Sequence, residues 1–126
     1  MKRRLHDMKG RKAITVLKTS VTNTRRRITY PRTTKPEIES VLITIAPGGQ
    51  SGWHRHPVPT FVYVLRGTLL LGNQGQRRRR YRAGTAFLEA TKTCHNASNP
   101  GTRPLQLLVV YIGKRGTPNL IRPGSH

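Results

Sequence analysis

Three of the five histidines, His54, His56 and His95, are the residues of this 126-residue chain best suited to chemistry. His54-Arg55-His56 sets two imidazoles on one face of an extended segment, because strand side chains repeat every two residues. His95 comes 39 positions after His56, in a separate β-rich stretch that a barrel could fold opposite the pair. Three neutral imidazoles with coordination positions left over make a sound site for Zn, Fe, Ni, Cu or Co. On spacing alone, two half-exposed histidines in a turn fit the pair as well. His6 and His126 lie near the ends and read as solvated.

The elements that must position these rings are short strands. Ile38–Ala46 alternates, with Val41, Ile43 and Ile45 on one face, until Pro47-Gly48-Gly49 breaks it. Phe61–Leu65 and Thr68–Leu71 flank Arg66-Gly67, which reads as a tight bend or bulge. Asn73-Gln74-Gly75 signals a hairpin turn before Arg77–Arg82, Ala83-Gly84 precedes Thr85–Glu89, and Asn99-Pro100-Gly101 precedes the last strand, Leu105–Ile112. No window keeps a 3.6-residue period with caps. The chain is therefore expected to be all-β, an antiparallel sandwich or barrel. A short β-rich piece, Ile14–Lys18, follows a basic arm over 1–13. The Gly-, Pro- and Arg-rich end is expected to pack back in part, with 119–126 a flexible tail.

Composition bounds the partners. Hydrophobic residues make up only 34% of the chain, but they gather in runs, which favours one packed core over a disordered polyelectrolyte. The formal charge is +20, from 24 Lys and Arg against 4 Asp and Glu. Such a field attracts polyanions without a specific site, so non-specific nucleic-acid binding is expected at low salt and should fade as salt rises. Aromatic residues, at 6%, offer a thin platform for stacking bases. The Arg77-Arg78-Arg79-Arg80 run reads as a solvated strand edge that resists strand-to-strand aggregation. Cys94 is the only cysteine, which excludes an internal disulfide and a cysteine zinc cage. No run approaches the roughly 18 apolar residues of a membrane span, and the basic start lacks the apolar stretch of a signal peptide. No membrane association and a cytoplasmic location are the expectations.

The residues around the histidines resemble the cupin superfamily. Its first motif is Gly, five residues, His-x-His, three or four residues, Glu, six residues, Gly; here stand Gly48, His54-Arg55-His56, Thr60 and Gly67 at those intervals. Its second motif is Gly, five residues, Pro-x-Gly, two residues, His, three residues, Asn; here stand Gly84, Ala90-Thr91-Lys92, His95 and Asn99. The text between, such as Tyr63-Val64-Leu65-Arg66-Gly67 and Tyr81-Arg82-Ala83-Gly84-Thr85, is similar to small bacterial cupins. The resemblance covers about 38–112. It implies an antiparallel jelly-roll barrel, here over 14–118, with His54, His56 and His95 as ligands of one divalent transition-metal ion (Fe, Mn, Zn, Ni or Cu).

The chain departs from the family where Thr60 replaces the motif Glu, the usual fourth ligand, and where Ala90 and Lys92 replace Pro and Gly. By motif spacing Thr60 is expected to point at the metal, leaving a three-histidine site. The resemblance implies a small-molecule ligand, an oxygenase-type or isomerase-type reaction, and a homodimer. The alternative is a non-catalytic module whose basic surface docks nucleic acid or another polyanion. Glu89 reads as an exposed strand carboxylate paired with a nearby arginine, with a replacement ligand or acid/base as the sharper reading. Cys94, next to His95, is expected to point the opposite way into packing. Phe61, Tyr63 and Phe87 are expected in the core or at the barrel mouth, and Trp53 over the rim of the site.

Overall fold

A computed structural model describes residues 9–124 together with the backbone of Arg3–Arg4; His6, His126 and the first part of the basic arm lie outside the described residues. Among the described residues nine strands run β1 (Arg3–Arg4), β2 (Ile14–Thr15), β3 (Pro36–Ile45), β4 (Thr60–Arg66), β5 (Thr68–Asn73), β6 (Arg79–Arg82), β7 (Ala86–Glu89), β8 (His95–Ser98) and β9 (Leu105–Lys114). All pairings are antiparallel. A four-stranded sheet has the order β3-β9-β4-β7, a three-stranded sheet β6-β5-β8, and β1 pairs with β2 in a two-stranded ladder. There is no helix among the described residues, and none long and apolar enough to cross a membrane. This is the jelly-roll arrangement the sequence implies, with the two sheets left open rather than closed into a ring.

Alternation builds the core. In β9 every odd residue from Leu105 to Gly113 is buried and every even one only partly so. Its inward Leu105, Leu107 and Val109 pair with inward Ile45, Ile43 and Val41 of β3. Val62 and Val64 of β4 join them, and Leu69, Leu71 and Ala97 complete the core from the other sheet. The Arg66-Gly67 corner is a bulge, with the β4–β9 register slipping between Val64 and Arg66. Gly67 has φ +79, and a Cβ there would meet the Pro104 carbonyl at 3.0 Å, so glycine suits this corner on two counts. The arginine run lies as expected: β6 is a sheet edge, and Arg79, Arg80 and Arg82 are exposed along it.

Candidate metal centre

Pairing with β8 fixes the first histidine. The His54 amide donates to the His95 carbonyl at 2.9 Å, and the His95 amide returns the bond at 2.7 Å. A hydrogen-bonded antiparallel pair puts both side chains on one face, here inward. Arg55 points the other way and makes the same double exchange with Ile121, both bonds at 2.9 Å. His56 then returns to the inner face. The result is that one nitrogen from each of His54, His56 and His95 lies within 4.8 Å of the others, and all three rings are buried. The three histidines singled out in the sequence are thus brought together.

Backbone carbonyls orient two of the rings. Nδ1–H of His54 donates to the Gly52 carbonyl and Nδ1–H of His56 to the Asn119 carbonyl, each at 2.8 Å. In the neutral rings this leaves the Nε2 lone pairs free for the centre, the arrangement that metal-bound histidines use. Neither ring nitrogen of His95 makes an aligned hydrogen bond, although the residue is fully buried, and Nε2 has only a carboxylate oxygen 3.2 Å away. An unpartnered buried polar atom costs about 1–3 kcal/mol, and a metal at the convergence of the rings would relieve it. The donor set and its orientation fit one transition-metal ion.

Glu89 corrects the sequence reading. It is 6% exposed, and its Oε2 lies 2.9 Å from Nε2 of His56 and 3.2 Å from Nε2 of His95. Among the described residues no arginine pairs with it. Its strand, β7, is buried on both faces because the segment around Asn23 lies over the outside. The Asn23 amide donates to the Leu88 carbonyl at 2.7 Å, and its Oδ1 accepts from the Ala90 amide at 3.1 Å. That segment has no hydrophobic period, so nothing in its pattern announced that it would cover a strand. Thr60 is also fully buried, but its hydroxyl donates to the Val58 carbonyl at 3.0 Å.

Burial sets the charge states. Desolvation, reinforced by the neighbouring His95 and His56, holds the His54 pKa down at about 4 against a hydrogen bond to Gly52 that raises it. His54 is therefore neutral at pH 7. Burial opposes the Glu89 carboxylate, yet the imidazoles of His56 and His95, at 2.9 and 3.2 Å, outweigh it and hold its pKa at about 2. Burial, with Glu89 and Glu39 nearby, raises the Tyr111 phenol, so Tyr111 is protonated at neutral pH.

These shifts make the metal-free protein acid-sensitive in two windows. Between about pH 6.5 and 4 the unfolded chain binds a proton at His54 that the folded one refuses, so stability falls as pH falls, by on the order of 3 kcal/mol. The Glu89 contribution is complete above about pH 4.5 and is lost as pH drops towards 2. In urea titrations across pH, His54→Asn should flatten the upper window and leave the lower one.

The centre opens on a cavity of about 210 Å³ whose lining includes His54, His56, Glu89, Tyr111, Leu120 and Arg122. Arg122 is the one lysine or arginine among the described lining residues, and its Nη1 donates to the Ser51 carbonyl at 3.1 Å. Phe87 belongs to the core and stacks on Tyr81, with centroids 4.1 Å apart, while Phe61 and Tyr63 are half-buried on the outer face of β4. Trp53 is 46% exposed and Cys94 half-buried.

Comparison with known proteins agrees with this fold. The oxalate decarboxylase of Lactobacillus farciminis, solved as a formate complex, superposes with a TM-score of 0.59 at 24% identity, covering 68% of this chain and 26% of that one. An oxalate oxidase gives 0.58 at 26% identity, covering 68% and 46%. The DMSP lyase DddQ of Ruegeria pomeroyi DSS-3 gives 0.60 at 20% identity, covering 71% and 45%. The chain thus spans from about a quarter to under half the length of these proteins. No curated protein matches it by sequence. The family model described as the cupin domain matches residues 41–111, from the inner face of β3 through both histidine segments to Tyr111, and the chain accordingly belongs to the cupin family.

Proposed function

We propose that this cupin holds one divalent transition-metal ion on His54, His56 and His95 and uses it to act on a small anionic molecule, with a carboxylate the best-fitting class. The observation that carries the reading is the convergence of three buried imidazoles, two of them oriented by backbone carbonyls, at the end of a cavity. That cavity holds about seven waters' worth of space, at about 30 Å³ each, which limits the ligand to a few heavy atoms. Arg122 supplies the one lining guanidinium, suited to paired hydrogen bonds with a carboxylate. Two structures of similar fold are enzymes of oxalate, a small dicarboxylate.

A bound ion would supply Lewis-acid polarisation of the ligand or of dioxygen. The chain's own part is to keep His54 neutral and to orient the rings of His54 and His56, to seat the anion with Arg122, and to hold a proton on the Tyr111 hydroxyl. Glu89, ionised at neutral pH, is no proton donor there. Oxygenase-type and isomerase-type chemistry both fit this set. A cytoplasmic setting and a homodimer belong to the same proposal, the latter supported by Ile38 and Leu42, each 66% exposed on the outer face of β3.

The second reading, a non-catalytic module docking a polyanion, is supported by a surface groove of about 760 Å³ lined by Arg26, Arg27, Lys92 and Lys114 beside Tyr30. Turnover separates the two. Metal-loaded protein incubated with a panel of small carboxylates should consume one of them, with or without oxygen uptake, and Arg122→Ala should raise its KM about tenfold or more. Salt-sensitive nucleic-acid retention with no turnover of any carboxylate would favour the docking module.

A further inference from the structure

The carboxylate of the centre enters from an unexpected strand. In the β4–β7 ladder Thr60 stands directly opposite Glu89, so their side chains share the inner face with Cβ atoms roughly 4.5–5.5 Å apart. Thr60 occupies the place of the motif Glu and has turned its hydroxyl to the Val58 carbonyl. The Glu89 side chain, from the opposing position, carries an oxygen to 2.9 Å and 3.2 Å from the Nε2 atoms of His56 and His95. His56 has already donated its Nδ1–H to Asn119, so in the neutral ring a lone pair faces a carboxylate lone pair. Two lone pairs at that distance repel unless a cation sits between them, either a proton or a metal ion. A carboxylate this deeply buried persists only when paired or coordinating.

We propose that Glu89 is the fourth protein ligand of the metal centre, so that the carboxylate the family motif carries at position 60 is supplied from across the ladder by β7. This rests on the three-histidine reading above and adds to it. It also changes the ion expected, since an oxygen anion beside three imidazoles favours the harder Mn(II) and Fe(II) more than an all-nitrogen set does. Moving the ligand one position sideways keeps its charge in the centre while leaving a short side chain at position 60.

The test uses Mn(II) and Ni(II) in chelator competition with the wild type, Glu89→Gln, and the double variant Thr60→Glu/Glu89→Thr. Glu89→Gln should weaken Mn(II) at least a hundredfold and Ni(II) by less. The double variant, which returns the carboxylate to the motif position, should recover Mn(II) to within about tenfold of the wild type. Wild-type protein gives an independent readout should the variants fail to fold. With only four Asp and Glu in the chain, Mn(II) loading should shift one carboxylate stretch in the infrared difference spectrum. Metal uptake by the wild type with unchanged carboxylate bands, or equal Mn(II) affinity in Glu89→Gln, overturns the role of Glu89 alone. No uptake of either ion by the wild type overturns the three-histidine reading, and this inference with it.

Discussion

Replacing His95 with alanine should lower metal affinity on the order of a thousandfold or more and leave the metal-free fold standing. His95 is the deepest of the three imidazoles, and its backbone is the partner that holds His54 in place. Loss of a group that only orients a ligand typically costs 10–100-fold in affinity, so loss of a direct ligand must exceed that range. Stability of the metal-free protein should change little. Neither imidazole nitrogen makes an aligned hydrogen bond, so deleting them removes a penalty of about 1–3 kcal/mol, which offsets much of the hollow left behind and of the lost 3.2 Å contact with Glu89. The backbone bonds to His54 survive the substitution. Chelator competition and urea denaturation with the metal removed check the two halves separately. Wild-type affinity in His95→Ala would remove that residue from the ligand set, and global unfolding would make it a structural residue instead.

The second large effect concerns residues far from both sequence motifs. Ending the chain after Pro118 should reduce metal affinity 10–100-fold and loosen the His54–His56 segment. The Asn119 carbonyl fixes the His56 ring, and Ile121 holds Arg55 through two backbone bonds, so this short stretch braces the segment from the side opposite β8. Its removal would also delete Leu120 and Arg122 from the cavity wall. Asn119→Ala should behave quite differently. The orienting group is the main-chain carbonyl, which alanine retains, and only the side-chain bond to Glu39 is lost. Metal affinity within about twofold of the wild type for Asn119→Ala, with the large loss confined to the truncated chain, would establish that the backbone does the work. Equal losses would point to a general loosening of the fold.

What could be read in advance follows from the periods involved. The inner faces of β3 and β9 alternate strictly, and they lie as the sequence implied. The two-residue repeat of His54 and His56 placed both rings inward for the same reason. The burial of Glu89 is not legible in the sequence, because burial on the second face of β7 is a tertiary fact. It depends on residues near Asn23 whose sequence has turn chemistry and no period. Opposition between Thr60 and Glu89 is likewise invisible without the strand register, since 28 residues, including two strands of the second sheet, separate them along the chain. The brace at 119–122 works through main-chain groups, which every residue possesses, so no side-chain pattern marks it. The Gly- and Pro-rich composition that signals a tail was compatible with docking and with fraying alike.

The net charge has a local counterpart with consequences for the ligand. A cavity bearing one guanidinium, inside a protein of formal charge +20, sits in a positive field that raises the local concentration of small anions. The same field repels the metal cation, and the Glu89 carboxylate, whose ionised form the histidines stabilise, offsets part of that repulsion where the ion would sit.

The measurement closest to the central claim is elemental analysis of the protein purified without added metal. The wild type should carry close to one transition-metal ion per chain, and the His54→Ala/His56→Ala/His95→Ala variant, folded by its circular dichroism, should carry none. A metal-free wild type that also fails to take up Mn, Fe, Ni, Cu or Zn on dialysis, or stoichiometric metal in the triple variant, would contradict the assignment of the three histidines as its metal centre.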